Sequence, residues 1–185
     1  MIDFLSKIFG KPDKRIQDES ESGDGAGQAD EPFAGAGQAD EPFTVAGPAT
    51  RFHPLVLAYI GDAIYDLYIR ETLARRVEGS VHKLHVEATK YVRCASQSDV
   101  AHSIANDLTE REREIIRRGR NAHSGYVPKN ANVTEYRYAT GFEALLGYLF
   151  ITCDFSRLKY ILETAEQKVS ETLKTDSLKK GKNAK

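Results

Sequence analysis

The sequence predicts an all-α domain preceded by a tail that takes no part in it. Three observations carry this reading. Between Phe52 and Val169, apolar residues recur at steps of three and four and show no sustained alternation of the strand type. Helix-start signals precede the apolar runs: Pro54, the capping-box pattern Thr109-Glu-Arg-Glu112, and Asp154. Residues 1–50, in contrast, hold ten acids against four bases, net −6, and the segment Gly25–Phe33 recurs unchanged as Gly35–Phe43. Two copies are too few for a solenoid, and so little apolar surface cannot offset the entropy of ordering. A disordered acidic tail is expected over 1–50, a folded domain over 51–172, and a basic tail over 173–185 that frays from Thr172.

The first helix starts at Pro54, where a missing N–H costs nothing, and runs to about Arg70. Leu57, Ile60, Ile64, Leu67 and Tyr68 share a face that Ala58, Tyr59 and Ala63 widen, so the helix is expected to be buried over most of its circumference. A second helix is expected from Val81 to Ala95. A third opens at an N-cap, Ser96, and runs through Val100, Ala101 and Ile104. A fourth opens at Thr109 and buries Ile115 and Ile116. Gly119 to Val133 is polar and reads as a loop, or as a loop that begins with a helical end running into Asn121. A fifth helix carries Tyr138, Ala139, Phe142, Leu145, Leu146 and Leu149. Asp154 caps the last, which buries Leu158, Ile161, Leu162, Ala165 and Val169.

Composition narrows the function classes. The acidic tail leaves residues 51–185 with 22 bases and 17 acids, net +5. That excess is modest for a nucleic-acid binder, so the clustering of bases matters more than their sum. Cys94 and Cys153 lie far apart without a CxxC spacing, which fits reduced thiols in a cytoplasmic protein. No apolar run reaches the length of a membrane span, and Met1–Gly10 lacks the basic start of a signal peptide. His82 and His85 have no third ligand at metal spacing, so zinc is not expected.

Two acids interrupt helices that are otherwise apolar. Gly61-Asp62 places a costly mid-helix Gly beside a carboxylate, and Glu143 stands alone between Phe142 and Ala144-Leu-Leu. If the helices pack with Asp62 and Glu143 facing each other, the two share a proton or a cation. Mg²⁺ takes few carboxylates and keeps several waters, one of which can attack a phosphodiester. Beyond them lies a basic cluster: Arg117, Arg118, Arg120, Asn121 and Ser124, then Lys129 and Arg137. Such residues offer phosphates both charge and short donors, although a solvated basic turn reads the same way.

These residues resemble the catalytic domain of the ribonuclease III family, and more closely its short Mini-ribonuclease III branch. The resemblance runs from about Phe52 to Ala165. It rests on Leu57-Ala-Tyr-Ile-Gly-Asp-Ala-Ile-Tyr65, Arg117-Arg-Gly-Arg-Asn-Ala122 and Tyr136-Arg-Tyr-Ala-Thr-Gly-Phe-Glu-Ala-Leu-Leu-Gly-Tyr148. It implies an all-α homodimeric endoribonuclease that uses Mg²⁺ on double-stranded RNA and leaves 5′-phosphate and 3′-hydroxyl ends. The implied cellular task is trimming the ends of the 23S ribosomal RNA precursor.

Carried over by position, Asp62 matches the invariant signature acid and Glu143 the metal-binding Glu of the later motif. Arg118, Arg120, Asn121, Ser124, Lys129 and Arg137 are the candidates for holding the RNA backbone. Two further family acids are replaced, by Ala58 and Thr140, as in the Mini branch, which leaves fewer carboxylates for metal. No double-stranded-RNA-binding domain is expected, so RNA selection falls to the catalytic body or to a ribosomal protein partner. The resemblance also places the first helix at the dimer seam, with Ala58 and Gly61 permitting close approach. The rival reading, a non-catalytic RNA-binding or ribosome-associated protein retaining the fold, draws on the missing acids.

Overall fold

The structure is a computed structural model that describes residues 52–122 and 132–182. The acidic tail expected over 1–50 lies outside the described residues, as do Ser124 and Lys129. Six α-helices follow one another among the described residues: α1 (Pro54–Arg76), α2 (Val81–Val92), α3 (Cys94–Ser103), α4 (Glu110–Asn121), α5 (Val133–Ile151) and α6 (Phe155–Lys182). A 3₁₀ turn, Ala105–Asp107, separates α3 from α4. The order and type of the elements are those the periodicity predicts.

Helix α5 is the centre. Its Phe142, Ala144, Leu145, Leu146 and Leu149 are all buried, and α1, α3 and α4 pack around it. Burial on several sides explains why α5 reads as almost continuously apolar. Glycine sets how closely its neighbours approach. A methyl group on Gly61 would sit 1.8 Å from the Glu143 carbonyl oxygen, and one on Gly147 would sit 2.0 Å from that of Leu57. The backbones of α1 and α5 therefore touch at two reciprocal points. Gly141 makes the equivalent contact with α4, where a methyl would lie 2.7 Å from the Ile116 carbonyl oxygen.

This corrects the reading that Gly61 and Ala58 serve a dimer seam: both are buried within the one chain, Gly61 against α5. Gly119 lies inside α4, which runs to Asn121 as the helical-end alternative has it, and a methyl there would meet Gly141 and Ala144 at 2.9 Å.

The other side of the core is closed by α6, whose Leu158, Ile161, Leu162, Ala165 and Val169 are buried as expected. One polar node ties α6 to the start of α4. Glu112 completes the Thr109 capping box and receives Arg157 through Nε at 2.8 Å and Nη2 at 3.0 Å. Burial raises the Glu112 pKa, but the Arg157 and Thr109 hydrogen bonds outweigh it and hold the carboxyl below its ordinary range. Removing either partner of such a buried pair costs about 3–5 kcal/mol. Asp154 caps α6 by accepting from the Arg157 amide.

Three boundaries differ from expectation. The helix placed over Val81–Ala95 breaks at Arg93, whose extended backbone ends α2 and starts α3. Ser96 is no N-cap: it is buried, and its hydroxyl accepts from Arg93 and donates to the Lys90 carbonyl, fastening the end of α2. Helix α6 does not fray at Thr172 but continues to Lys182, with Leu173 packed against the core. Helix α1 is not buried all round either, since Tyr59 is 80% exposed and Leu67 52%.

Gly147→Ala is expected to destabilise the fold by about 3 kcal/mol or more, because the added methyl meets rigid backbone rather than a side chain that can turn away. Urea denaturation measures this. A variant as stable as the parent would mean that α1 and α5 do not cross this closely.

Candidate active site

The contact between α1 and α5 determines where the two acids stand. Gly61 rests on the Glu143 backbone, so the next residue, Asp62, is carried to the Glu143 side chain. Asp62 and Glu143, 81 positions apart, are thereby close enough for the Asp62 carboxylate to raise the Glu143 pKa. Asp62 is the outer member, on the exposed side of α1, and Glu143 the inner.

Burial first, and then the neighbouring Asp66 carboxylate, raise the Asp62 pKa. Burial first, and Asp62 second, push the Glu143 pKa up to about 8. Asp66 is itself engaged by Arg70 at 2.6 Å. Among the described residues neither Asp62 nor Glu143 pairs with a lysine or arginine, and no positive side chain offsets their repulsion.

That donor set fits a hard divalent cation. It consists of carboxylate oxygens, one of them near solvent, with the charge a cation would neutralise. The set is small: no group of three or more His, Cys, Asp or Glu residues suited to a metal occurs among the described residues. Ala58 is buried, and the Thr140 hydroxyl bonds the Tyr136 carbonyl of its own helix at 3.0 Å. Neither position supplies a further oxygen ligand from a carboxylate. An ion held by Asp62 and Glu143 would complete its shell largely with water, as Mg²⁺ commonly does.

Helix α3 forms the third wall, and sequence reasoning missed it. Gln97 is buried, 1% exposed, and its amide lies beside Glu143, favouring the ionised carboxylate. Neither its Nε2 nor its Oε1 completes a hydrogen bond of normal geometry. Cys94, one turn earlier, lies within the influence of both acids; burial and then Glu143 raise its thiol pKa. The signal was present as Ser96-Gln97-Ser98, but polar residues at a helix start read as capping, whereas all three are buried here.

The basic candidates divide. Arg118 is half-buried and donates to the Phe52 carbonyl. Arg120 donates to the Tyr138 hydroxyl at 3.0 Å and lies over that ring. Both have structural employment in addition to any binding role. Asn121 ends α4 and, like Arg137 on α5, is exposed. Ser124 and Lys129 lie outside the described residues.

The family model for the Ribonuclease III domain matches residues 55–154, which contain both acids. The Mini-ribonuclease 3 of Thermoanaerobacter is 50% identical over 118 residues, 64% of this chain and 83% of the relative. That of Enterococcus faecalis is 44% identical over 120 residues, 64% of this chain and 91% of the relative. A crystal structure of a Fusobacterium nucleatum protein matches with a TM-score of 0.58 and 28% identity, covering 63% of this chain and 93% of that one. With the family model spanning more than half of the sequence and both acids inside it, the chain belongs to the ribonuclease III family, in its Mini-ribonuclease 3 branch.

Proposed function

We propose that this chain, an endoribonuclease of the ribonuclease III type, hydrolyses double-stranded RNA with Mg²⁺ held by Asp62 and Glu143, and that it matures the ends of the 23S ribosomal RNA precursor in the cytoplasm. The observation that carries the reading is the proximity of these two carboxylates with no compensating positive side chain among the described residues. Mg²⁺, when bound, would neutralise phosphate charge and acidify water, which is the chemistry phosphodiester hydrolysis needs.

The protein's own part is to hold the acids. Glu143, inside, presents its carboxylate from the rigid centre of α5; Asp62, outside, faces the surface where a duplex would lie. The exposed Asn121 and Arg137, with Arg118, Arg120, Ser124 and Lys129, are assigned to the RNA backbone, whose phosphates dominate affinity. The 2′-hydroxyls of A-form RNA lie in a wide, shallow minor groove that such an open surface can meet. The products carry 5′-phosphate and 3′-hydroxyl ends. With only a modest basic excess on the body, a ribosomal protein partner is a reasonable aid to site selection.

The same helix supports a homodimer. Tyr59, Ala63 and Leu67 stand at steps of four on the exposed side of α1, beside Asp62. Two large apolar side chains left 80% and 52% exposed on one stripe are what a second copy would cover. A two-fold there brings two acid pairs to one cleft, one for each strand.

Three outcomes test these statements. Asp62→Asn should lower Mg²⁺-dependent cleavage of a duplex RNA by about 10²-fold or more while gel-shift affinity stays within about threefold; equal loss of both refutes the assignment. Tyr59→Glu should shift the protein from dimer to monomer in sedimentation, and a dimer that persists excludes this face.

The third concerns pH. The folded state binds the Glu143 proton more tightly than the unfolded chain, whose carboxyl keeps the ordinary value of 4.5. Its contribution is therefore full below about 4.5 and is lost as pH rises through about 8; Asp62, also raised, adds in the same direction. The metal-free protein should melt at a lower temperature at pH 8 than at pH 5. Glu143→Gln should flatten that slope, and an unchanged slope would contradict the burial of this charge.

A further inference from the structure

Among the described residues, several buried polar side chains have evident partners. Thr140 bonds its own helix, Ser96 fastens α2 and Glu112 holds Arg157. Tyr65 and Gln97 keep polar atoms without partners. Tyr65 has its ring edge-on to Phe142 at 5.3 Å, deep in the apolar core, and its burial is explained by packing. Gln97 has no such explanation. Its side chain is short of apolar surface, and both amide atoms are unpaired at 1% exposure. A leucine or methionine would fill the space without that penalty.

What Gln97 does have is a position. It projects from the first turns of α3 toward Glu143, on the side of the helix that also brings Cys94 to the acids. The amide suits that position chemically. It can donate from Nε2 to a carboxylate oxygen and accept at Oε1, and it adds no charge where two acids already repel. A lysine there would replace the cation the site is shaped for, and a third acid would raise the repulsion.

We propose that Gln97 is a positioning residue, its buried amide holding the Glu143 carboxylate in the orientation that receives a divalent cation. This rests on the proposed cation site of Asp62 and Glu143. The unpaired amide is then the cost of preorganising a ligand: its polar atoms are held ready beside Glu143 rather than satisfied elsewhere in the core. Outer partners of this kind are commonly worth 10- to 100-fold in metal affinity or activity. In a site with only two carboxylates, each orientation matters more.

The test is Mn²⁺ binding to the full chain, followed by electron paramagnetic resonance, with melting of the metal-free protein as a second readout. Gln97→Met keeps the volume and removes both polar atoms. It is expected to weaken Mn²⁺ binding about tenfold, at least threefold, while the metal-free protein melts at the same or a higher temperature. A merely structural amide predicts a lower melting temperature instead, and weaker binding accompanied by that loss overturns the proposal. So does Mn²⁺ affinity within threefold of the parent, which leaves the cation site itself standing. Should the Met variant fail to fold, Gln97→Asn takes its place: it retains the amide on a shorter stem, binding at least threefold weaker supports the role, and unchanged binding refutes it. No Mn²⁺ binding by the parent chain would bring down the cation site and this inference together.

Discussion

Two backbone contacts between α1 and α5 govern the rest of this structure. Gly61 lies against the Glu143 carbonyl and Gly147 against that of Leu57, so the helices cross without a layer of side chains between them. Each mid-helix glycine costs about 1 kcal/mol in helix propensity. The return is proximity: a short Asp on one helix meets a Glu on the other. With alanine at Gly61, the helices would have to separate, and Asp62 is too short to span the added gap. The glycines thus act on chemistry through packing rather than through backbone freedom.

The crossing also explains the electrostatics. Packing of α5 against α1 and α3 leaves Glu143 half-buried, while Asp62, its neighbour, is exposed. Two acids so placed titrate as a pair. A divalent cation held between them, as proposed, would offset their repulsion. The fold supports that cost elsewhere, through the apolar layer of α5 and α6 and through the Glu112–Arg157 pair that closes the far end.

Helix α1 serves two surfaces at once. Its buried side builds the core, through Leu57, Ile64, Tyr65 and Ile69, and its exposed side carries Tyr59, Asp62, Ala63 and Leu67. The apolar stripe runs beside Asp62, so whatever covers it also shapes the surface next to that carboxylate. This is why a sequence apolar nearly all round belongs to a helix that one chain buries only in part.

Much of this was legible in the residues. Periodicity gave an all-α domain of about six or seven helices, local caps at Thr109 and Asp154 located two starts, and the acids that break apolar patterns, Asp62 and Glu143, marked the candidate site, because each effect acts within a few positions of the chain. Three things were decided only in space. The role of Gly61 and Gly119 depends on which backbone faces them. The break at Arg93 turns on the buried Ser96 hydroxyl reaching back to Lys90. The membership of Gln97 in the site follows from α3 packing on α5, which no spacing along the chain records. Sequence determined which groups were available and on which helix each lay; tertiary packing decided which of them would meet, since only a folded core brings residues 62, 97 and 143 into one field.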